Sequence, residues 1–209
     1  LSKDLTGLEF TAGIPGTVGG ATRGNAGTYG VAMDSVVQKI KYLDENQSLQ
    51  EITSKDAEFA YRHSIFKTKD WIILEVELKL QKGDVKAAQE LVKERLQYRQ
   101  DTQPNLPSAG CIFKNVHFKD VDLKDLKVKN IEIDKFDKFK KIPAAYIIEK
   151  AGLKGHIIGG AQVSDVHANY IVNQGEATAE QVIMLISFIK QQVRDKYGVQ
   201  LQEEVQLLV

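Results

Sequence analysis

The stretch "GIPGTVGGATRGNAG", Gly13–Gly27, decides how this 209-residue chain is read. Seven of the sixteen glycines lie between Gly13 and Gly30, and Pro15 adds a further breaker. The segment is therefore expected to form neither a regular helix nor a regular strand. It lacks the Gly-Lys-Ser/Thr of a P-loop and does not match the strand-flanked Gly-x-Gly-x-x-Gly dinucleotide fingerprint. Closely spaced glycines still leave backbone N–H groups unshielded, and a run of them can form a nest for a pyrophosphate. Thr17, Thr22, Asn25 and Thr28 add side-chain donors. A loop that only turns sharply would use the same glycines, so the residues alone leave both readings open.

Working outward, Val36–Leu43 reads as a strand, Asp44–Gln47 as a turn and Leu49–Thr53 as the return strand of a hairpin. Ser54 is a candidate cap for a short helix ending near Tyr61, and Trp71–Leu80 alternates toward its end as a partly buried strand. Asp84 is expected to cap a helix to about Gln100, with Val85, Ala88, Leu91, Val92, Arg95 and Leu96 forming its stripe. The polar stretch "RQDTQPNLPSAG", Arg99–Gly110, ends that helix and holds two of the four prolines. It marks the domain boundary, giving residues 1–98 and 99–209. Beyond it come a short strand at Cys111–Phe113, a Lys/Asp-rich solvated excursion from Val116 to Lys141, and a helix over Pro143–Ala151. "HANYIVN" reads as a strand. Thr178 caps the strongest helix, which runs to about Tyr197 with Val182, Ile186, Ile189 and Val193 inward, and "VQLQEEVQLLV" closes the chain as a strand. On the other side, the chain opens at Leu1 without methionine, close to the glycine motif, which is expected to be a truncated start.

Composition narrows the function classes. Lys+Arg 28 against Asp+Glu 28 leaves no net charge, which argues against a phosphate-backbone binder, so no nucleic-acid partner is expected. A single cysteine and four scattered histidines argue against a structural metal site. No apolar run approaches the ~20 residues of a membrane span and no signal peptide opens the chain, so no membrane partner and a cytoplasmic location are expected.

Three further segments carry possible chemistry. "AYRHSIFK", Ala60–Lys67, sets Arg62 beside Tyr61, although a lone arginine more often makes a surface ion pair. "PSAGCIFKN", Pro107–Asn115, puts the only cysteine, Cys111, ahead of Lys114 and Asn115; a buried small hydrophobe is the alternative reading. Glu203 and Glu204 interrupt an apolar alternation, so in a regular strand one must face a neighbour or a cavity, where a carboxylate needs a cation, a proton or a substrate.

Together, "AGIPGTVGGA" with "NAGTYG", "YRHSIFK", "PSAGCIFKN", "IIEKAGLKGHIIGGAQVSDVHANYIVN" and "LQEEVQLL" resemble, in order, the UDP-N-acetylenolpyruvoylglucosamine reductase family. Its members are flavoenzymes that reduce an enolpyruvyl ether on the way to UDP-N-acetylmuramic acid. The resemblance implies an α+β fold, with the later half of a flavin-binding domain over 1–98 and an α+β substrate-binding domain over 99–209, and with the family's amino-terminal part missing. It implies FAD as cofactor, NADPH as reductant, a UDP-sugar substrate and a bacterial cytoplasmic setting. Gly13, Ile14, Pro15, Gly16, Thr17, Gly19, Gly20 and Ala21, then Asn25, Ala26 and Gly27, would lie along the FAD, with backbone amides on its pyrophosphate.

By the same resemblance Arg62 matches the catalytic arginine, Glu204 the carboxylate that completes the catalytic set, and Cys111 stands where the family usually has a proton-donating serine. Tyr61, Arg99, Lys114, Asn115 and His167 fall at positions associated with the sugar nucleotide. The implied reaction stores a hydride from NADPH on the flavin and delivers it to the vinyl carbon, while Arg62 stabilises charge on the carboxylate. A thiol, with an ordinary pKa of about 8.5, is a stronger acid than a serine hydroxyl and can serve as the proton donor. The rival readings are a non-catalytic sugar-nucleotide-binding module and a different oxidoreductase of the same flavin-domain superfamily.

Overall fold

Thr17 overrides the glycines that follow it. In the computed structural model, which describes residues 4–207, the Thr17 hydroxyl accepts the Gly20 N–H at 3.0 Å and caps the helix α1 (Val18–Arg23). The expectation that this segment holds no regular helix or strand is thus corrected. A side-chain cap and packing on a sheet, where Gly19 faces Ile73, supply what glycine propensity lacks.

The chain divides into two compact units at Asp101/Thr102. In the first unit β1 (Leu5–Thr6) precedes α1, and β2 (Gly27–Thr28) and β3 (Val31–Ala32) form a tight hairpin. Tyr29 and Gly30 at its tip both have positive φ, +56° and +83°, as a two-residue hairpin turn requires. The antiparallel sheet β5-β4-β6 follows, built from β4 (Val37–Leu43), β5 (Leu49–Thr53) and β6 (Ile72–Leu78). One face buries Ile40 and Tyr42, with Tyr42 stacked on Trp71 at 4.4 Å and edge-on to Phe66. The other carries Lys39–Glu51 and Lys41–Glu75 ion pairs. β7 (Gln81–Lys82) pairs with β1.

Two local expectations fail in this unit. The segment after Ser54 forms turns, not a helix: Thr53 Oγ1 donates to Asp56 Oδ2 at 2.6 Å, and Glu58 enters the left-handed region at φ +50°. A single 3-10 turn at Ile65–Lys67 is the only helical element there. Asp84 does cap α2 (Val85–Thr102), its carboxylate accepting the Lys86 and Ala87 N–H groups. Of the expected stripe, however, Ala88 alone is buried, and Leu91 and Leu96 are 36% and 41% exposed. Periodicity specifies a helix, but burial requires a facing element.

The second unit begins with β8 (Ser108–Cys111) and β9 (Val116–His117), then α3 (Leu123–Val128), β10 (Lys141–Ile142) and α4 (Ala144–Lys150). β11 (Ile157–Ile158), β12 (Ala161–Val163) and β13 (Tyr170–Asn173) then join β8 in an antiparallel sheet of order β11-β12-β13-β8. α5 (Ala179–Tyr197) is held by a Thr178–Gln181 capping box and ended by Gly198 at φ +71°. Its Leu185, Ile186, Ile189 and Val193 enter a core shared with Ile142, Ile147 and Val163. The charged excursion forms surface ion pairs, while Leu126, Ile131 and Ile133 beneath it belong to the core.

Over its described residues the closing segment is not a strand. It makes one bridge, Phe113↔Glu203, with Lys114 N–H donating to Gln202 O at 2.9 Å and Glu204 N–H to Ile112 O at 2.7 Å. Ile112 O also takes the Val205 N–H, so the chain turns away after Glu204. Leu208 and Val209 lie outside the described residues.

Thr22, on α1, is fully buried and its hydroxyl has no hydrogen-bond partner among the described residues. A buried unsatisfied hydroxyl costs about 1–3 kcal/mol. Thr22→Val, which keeps the shape and removes the hydroxyl, is expected to raise the unfolding free energy by about 1 kcal/mol in urea titration. A loss of stability would mean that the hydroxyl has a partner in solution.

Candidate active site

The glycine segment lines one side of a cavity of about 150 Å³ with Ile14, Pro15, Gly16, Thr17, Val18 and Ala21, facing Leu8, Thr11, Ala26, Met33 and Leu78. Gly16 sits at φ +123° with open space beside its Cα, a backbone state that excludes a side chain. Gly27 has a different reason to be glycine: a Cβ there would lie 2.5 Å from that of Ala32 and 2.6 Å from Val31 O, so it permits the hairpin's close approach. At Gly13 a Cβ would meet Arg99 Cδ at 2.6 Å.

Arg99 therefore packs on the glycine segment, and its Nε donates to Ala12 O at 2.9 Å. This places Arg99 in the first unit, on a helix continuous to Thr102, and not at the head of a second domain. Asn25, expected along the cofactor, is 3% exposed. Its carboxamide donates to Asp34 Oδ2 and Ala60 O and accepts the Asp34 N–H. Tyr61 and Arg62 occupy the tip of a turn between Ala60 and His63, with the guanidinium 5.2 Å from the Tyr61 ring centroid.

In the second unit the backbone gathers Cys111, Lys114, His167 and Glu204. Cys111, half-buried at the end of β8, pairs with Tyr170, whose ring meets that of His167 edge-on at 4.8 Å. The Glu204 N–H bond to Ile112 O and the Lys114 N–H bond to Gln202 O bring the closing segment alongside. Glu203 and Glu204 diverge: Glu203 is exposed and pairs with Lys190 at 2.7 Å, which holds its carboxyl below the usual range, whereas Glu204 is half-buried. The Asn115 side chain accepts the Ala144 N–H at the start of α4.

Sequence reasoning missed Asn169. Buried at 3%, it accepts the Phe113 N–H at 2.9 Å and donates to Phe113 O at 2.8 Å, holding the chain between Cys111 and Lys114. An asparagine inside the apolar run "HANYIVN" was the available signal, because a polar side chain buried just ahead of a strand must satisfy something.

The sequence profile of the UDP-N-acetylenolpyruvoylglucosamine reductase C-terminal domain matches residues 102–208. The chain belongs to the UDP-N-acetylenolpyruvoylglucosamine reductase family. It is 38% identical to the reductase of that name from Caldanaerobacter subterraneus subsp. tengcongensis, over 100% of this chain and 62% of the relative. It is 39% identical to that of Anoxybacillus flavithermus, over 99% of this chain and 61% of the relative. The chain thus spans about three fifths of the length of these curated relatives. A crystal structure of the UDP-N-acetylenolpyruvylglucosamine reductase from Thermus caldophilus superimposes with a TM-score of 0.75 at 28% identity, over 98% of this chain and 65% of the other. No helix among the described residues is long and apolar enough to cross a membrane.

His167 supplies a pH test of this arrangement. Burial, assisted by Lys154, holds its imidazole below the ordinary 6.5 against the opposing pull of its own backbone and Glu149. Its Nδ1 accepts the Asn169 N–H at 3.3 Å, which leaves the proton of the neutral ring on Nε2. The unfolded chain binds more protons between the folded value and 6.5, so stability is fully present above 6.5 and is lost as pH falls through the folded value. His167→Gln is expected to remove part of that acid loss in denaturant titrations. His117, lowered by burial and Lys141, accounts for a further part. An unchanged pH slope would place His167 in solvent.

Proposed function

We propose that this chain carries the reductase chemistry of its family: reduction of the enolpyruvyl group of UDP-N-acetylglucosamine enolpyruvate to UDP-N-acetylmuramate in peptidoglycan precursor synthesis, with FAD bound and NADPH as reductant. Relatives named as reductases align with both units, which supports the reading. On this reading the first unit would be the later half of a flavin-binding domain, and the second, which matches the C-terminal-domain profile, the substrate-binding domain. A nucleotide-linked substrate and NADPH make the bacterial cytoplasm its setting.

The residues present fit one wall of a flavin site. Gly16 leaves open space beside an apolar cavity, and between Gly13 and Ala21 four glycines leave backbone uncovered, Ile14 being the largest side chain of the stretch. Gly13, Ile14, Pro15, Gly16, Thr17, Gly19, Gly20 and Ala21 would hold the cofactor, with Ala26 on the cavity wall. Bound there, the flavin supplies hydride transfer from NADPH to the substrate. Arg62 stabilises the negative charge that develops on the substrate carboxylate, and its planar fork suits a bidentate contact. Cys111 donates the proton to the second carbon, and Glu204 orients the donor. Tyr61, Lys114 and His167 would contact the sugar nucleotide. Arg99 and Asn115 act instead through the segments they brace, the glycine stretch and the start of α4.

The observation that carries the proposal is the backbone junction at Ile112, where the Cys111 strand end and Glu204 meet in the family-matched unit. In flavin-loaded protein, Cys111→Ser is expected to remain active. Cys111→Ala should block oxidation of the reduced protein by substrate while leaving reduction by NADPH intact, measured as separate half-reactions in stopped flow. Arg62→Lys and Glu204→Gln should lower turnover at least ~100-fold and Glu203→Gln little, since the last loses only a surface pair. Full substrate-driven oxidation in Cys111→Ala would remove Cys111 from the chemistry. A chain that binds the UDP-sugar but never retains flavin would be a sugar-nucleotide-binding module.

A further inference from the structure

Arg62 stands in a backbone conformation that its side chain does not favour. Its φ is +56°, in a turn closed by Ala60 N–H to His63 O and His63 N–H to Ala60 O bonds, both 3.1 Å. A bulky residue stays in the left-handed region only where its surroundings over-determine it.

Two buried side chains do so here, and both tie the turn to the end of α1. Asn25 Nδ2 donates to Ala60 O at 3.0 Å, and Ser64 Oγ donates to Arg23 O at 2.7 Å. Asn25 is 3% and Ser64 0% exposed. Asn25 is itself left-handed at φ +44°, a state asparagine tolerates. Its Oδ1 accepts the Asp34 N–H at 3.0 Å and its other Nδ2 hydrogen goes to Asp34 Oδ2 at 3.1 Å, so the carboxamide cannot rotate without breaking several bonds. Both of its donors are committed to protein, which leaves none for a ligand.

We propose that Asn25 and Ser64 are positioning residues for Arg62, bracing its left-handed turn against the end of the glycine segment, and that Asn25 does not bind the cofactor through its side chain. This rests on the reading of Arg62 as the cation of the reaction. It also explains why the glycine stretch and "YRHS" need each other: the same buried bonds end one and aim the other.

The test uses the 209-residue chain without added cofactor and follows amide exchange by NMR. Asn25→Gly keeps the left-handed freedom while deleting the clamp, and Ser64→Ala deletes the second clamp, so either variant alone can decide if the other fails to fold. Exchange at Ala60 and His63 is expected to quicken at least tenfold, with Ile40 in the central strand changing less than twofold. Unchanged exchange at Ala60 and His63, or equal acceleration at Ile40, would overturn the proposal. In flavin-loaded protein, Asn25→Gly should lower kcat at least tenfold with KM within twofold, yet add less than twofold to the loss already caused by Arg62→Lys. Additive losses would mean that Asn25 does not act through Arg62. If Arg62→Lys leaves kcat unchanged, the catalytic reading of Arg62 fails, while the exchange data still decide whether the turn is braced.

Discussion

Buried backbone groups that no ladder reaches must be satisfied by side chains, and in each unit a buried asparagine meets part of that demand. Asn25 joins the end of α1 to the Asp34 turn and to Ala60. Asn169 takes both the N–H and the carbonyl of Phe113, where β8 has ended and the closing segment only touches. Each is 3% exposed, so its hydrogen bonds act in a low dielectric, where breaking one leaves a buried group unpaired. The segments that bear Arg62 in one unit and Cys111 and Glu204 in the other depend on these carboxamides.

The fold around these anchors is economical. In the first unit one sheet face packs on Tyr42, Phe66 and Trp71, while the opposite face is charged. In the second, α5 covers the core with Leu185, Ile186, Ile189 and Val193, and Tyr197 OH donates to Lys150 O at the end of α4. Both units set irregular segments against regular ones, which suits residues that must be held in uncommon conformations.

Glycine serves several ends within one segment. At Gly16 it keeps a positive φ beside open space, and at Gly27 it allows two strands to approach. At Gly13 it makes room for Arg99. A count of glycines merges these roles, and a loop, a hairpin and a capped helix all emerged from a stretch that reads only as irregular.

Local signals with a strong chemical cause were legible in the sequence. The hairpin of β4 and β5, the Asp84 cap of α2, the Thr178 capping box and the Gly198 stop rest on neighbours within a few residues, where backbone hydrogen bonding and φ preference decide. The family motifs were legible too, because their residues occur in order along the chain. The helix expected after Ser54, the strand expected at the C-terminus and the burial expected along α2 were not, since each depends on partners distant in sequence. The inward turn of Asn25, the docking of Arg99 on Gly13 and the grip of Asn169 on Phe113 were decided by the tertiary structure alone, with separations of 35, 87 and 56 residues between hydrogen-bonded partners. Bonds of that span form only after the chain has closed long loops, and no local pattern of residue types encodes which groups will then be left to satisfy.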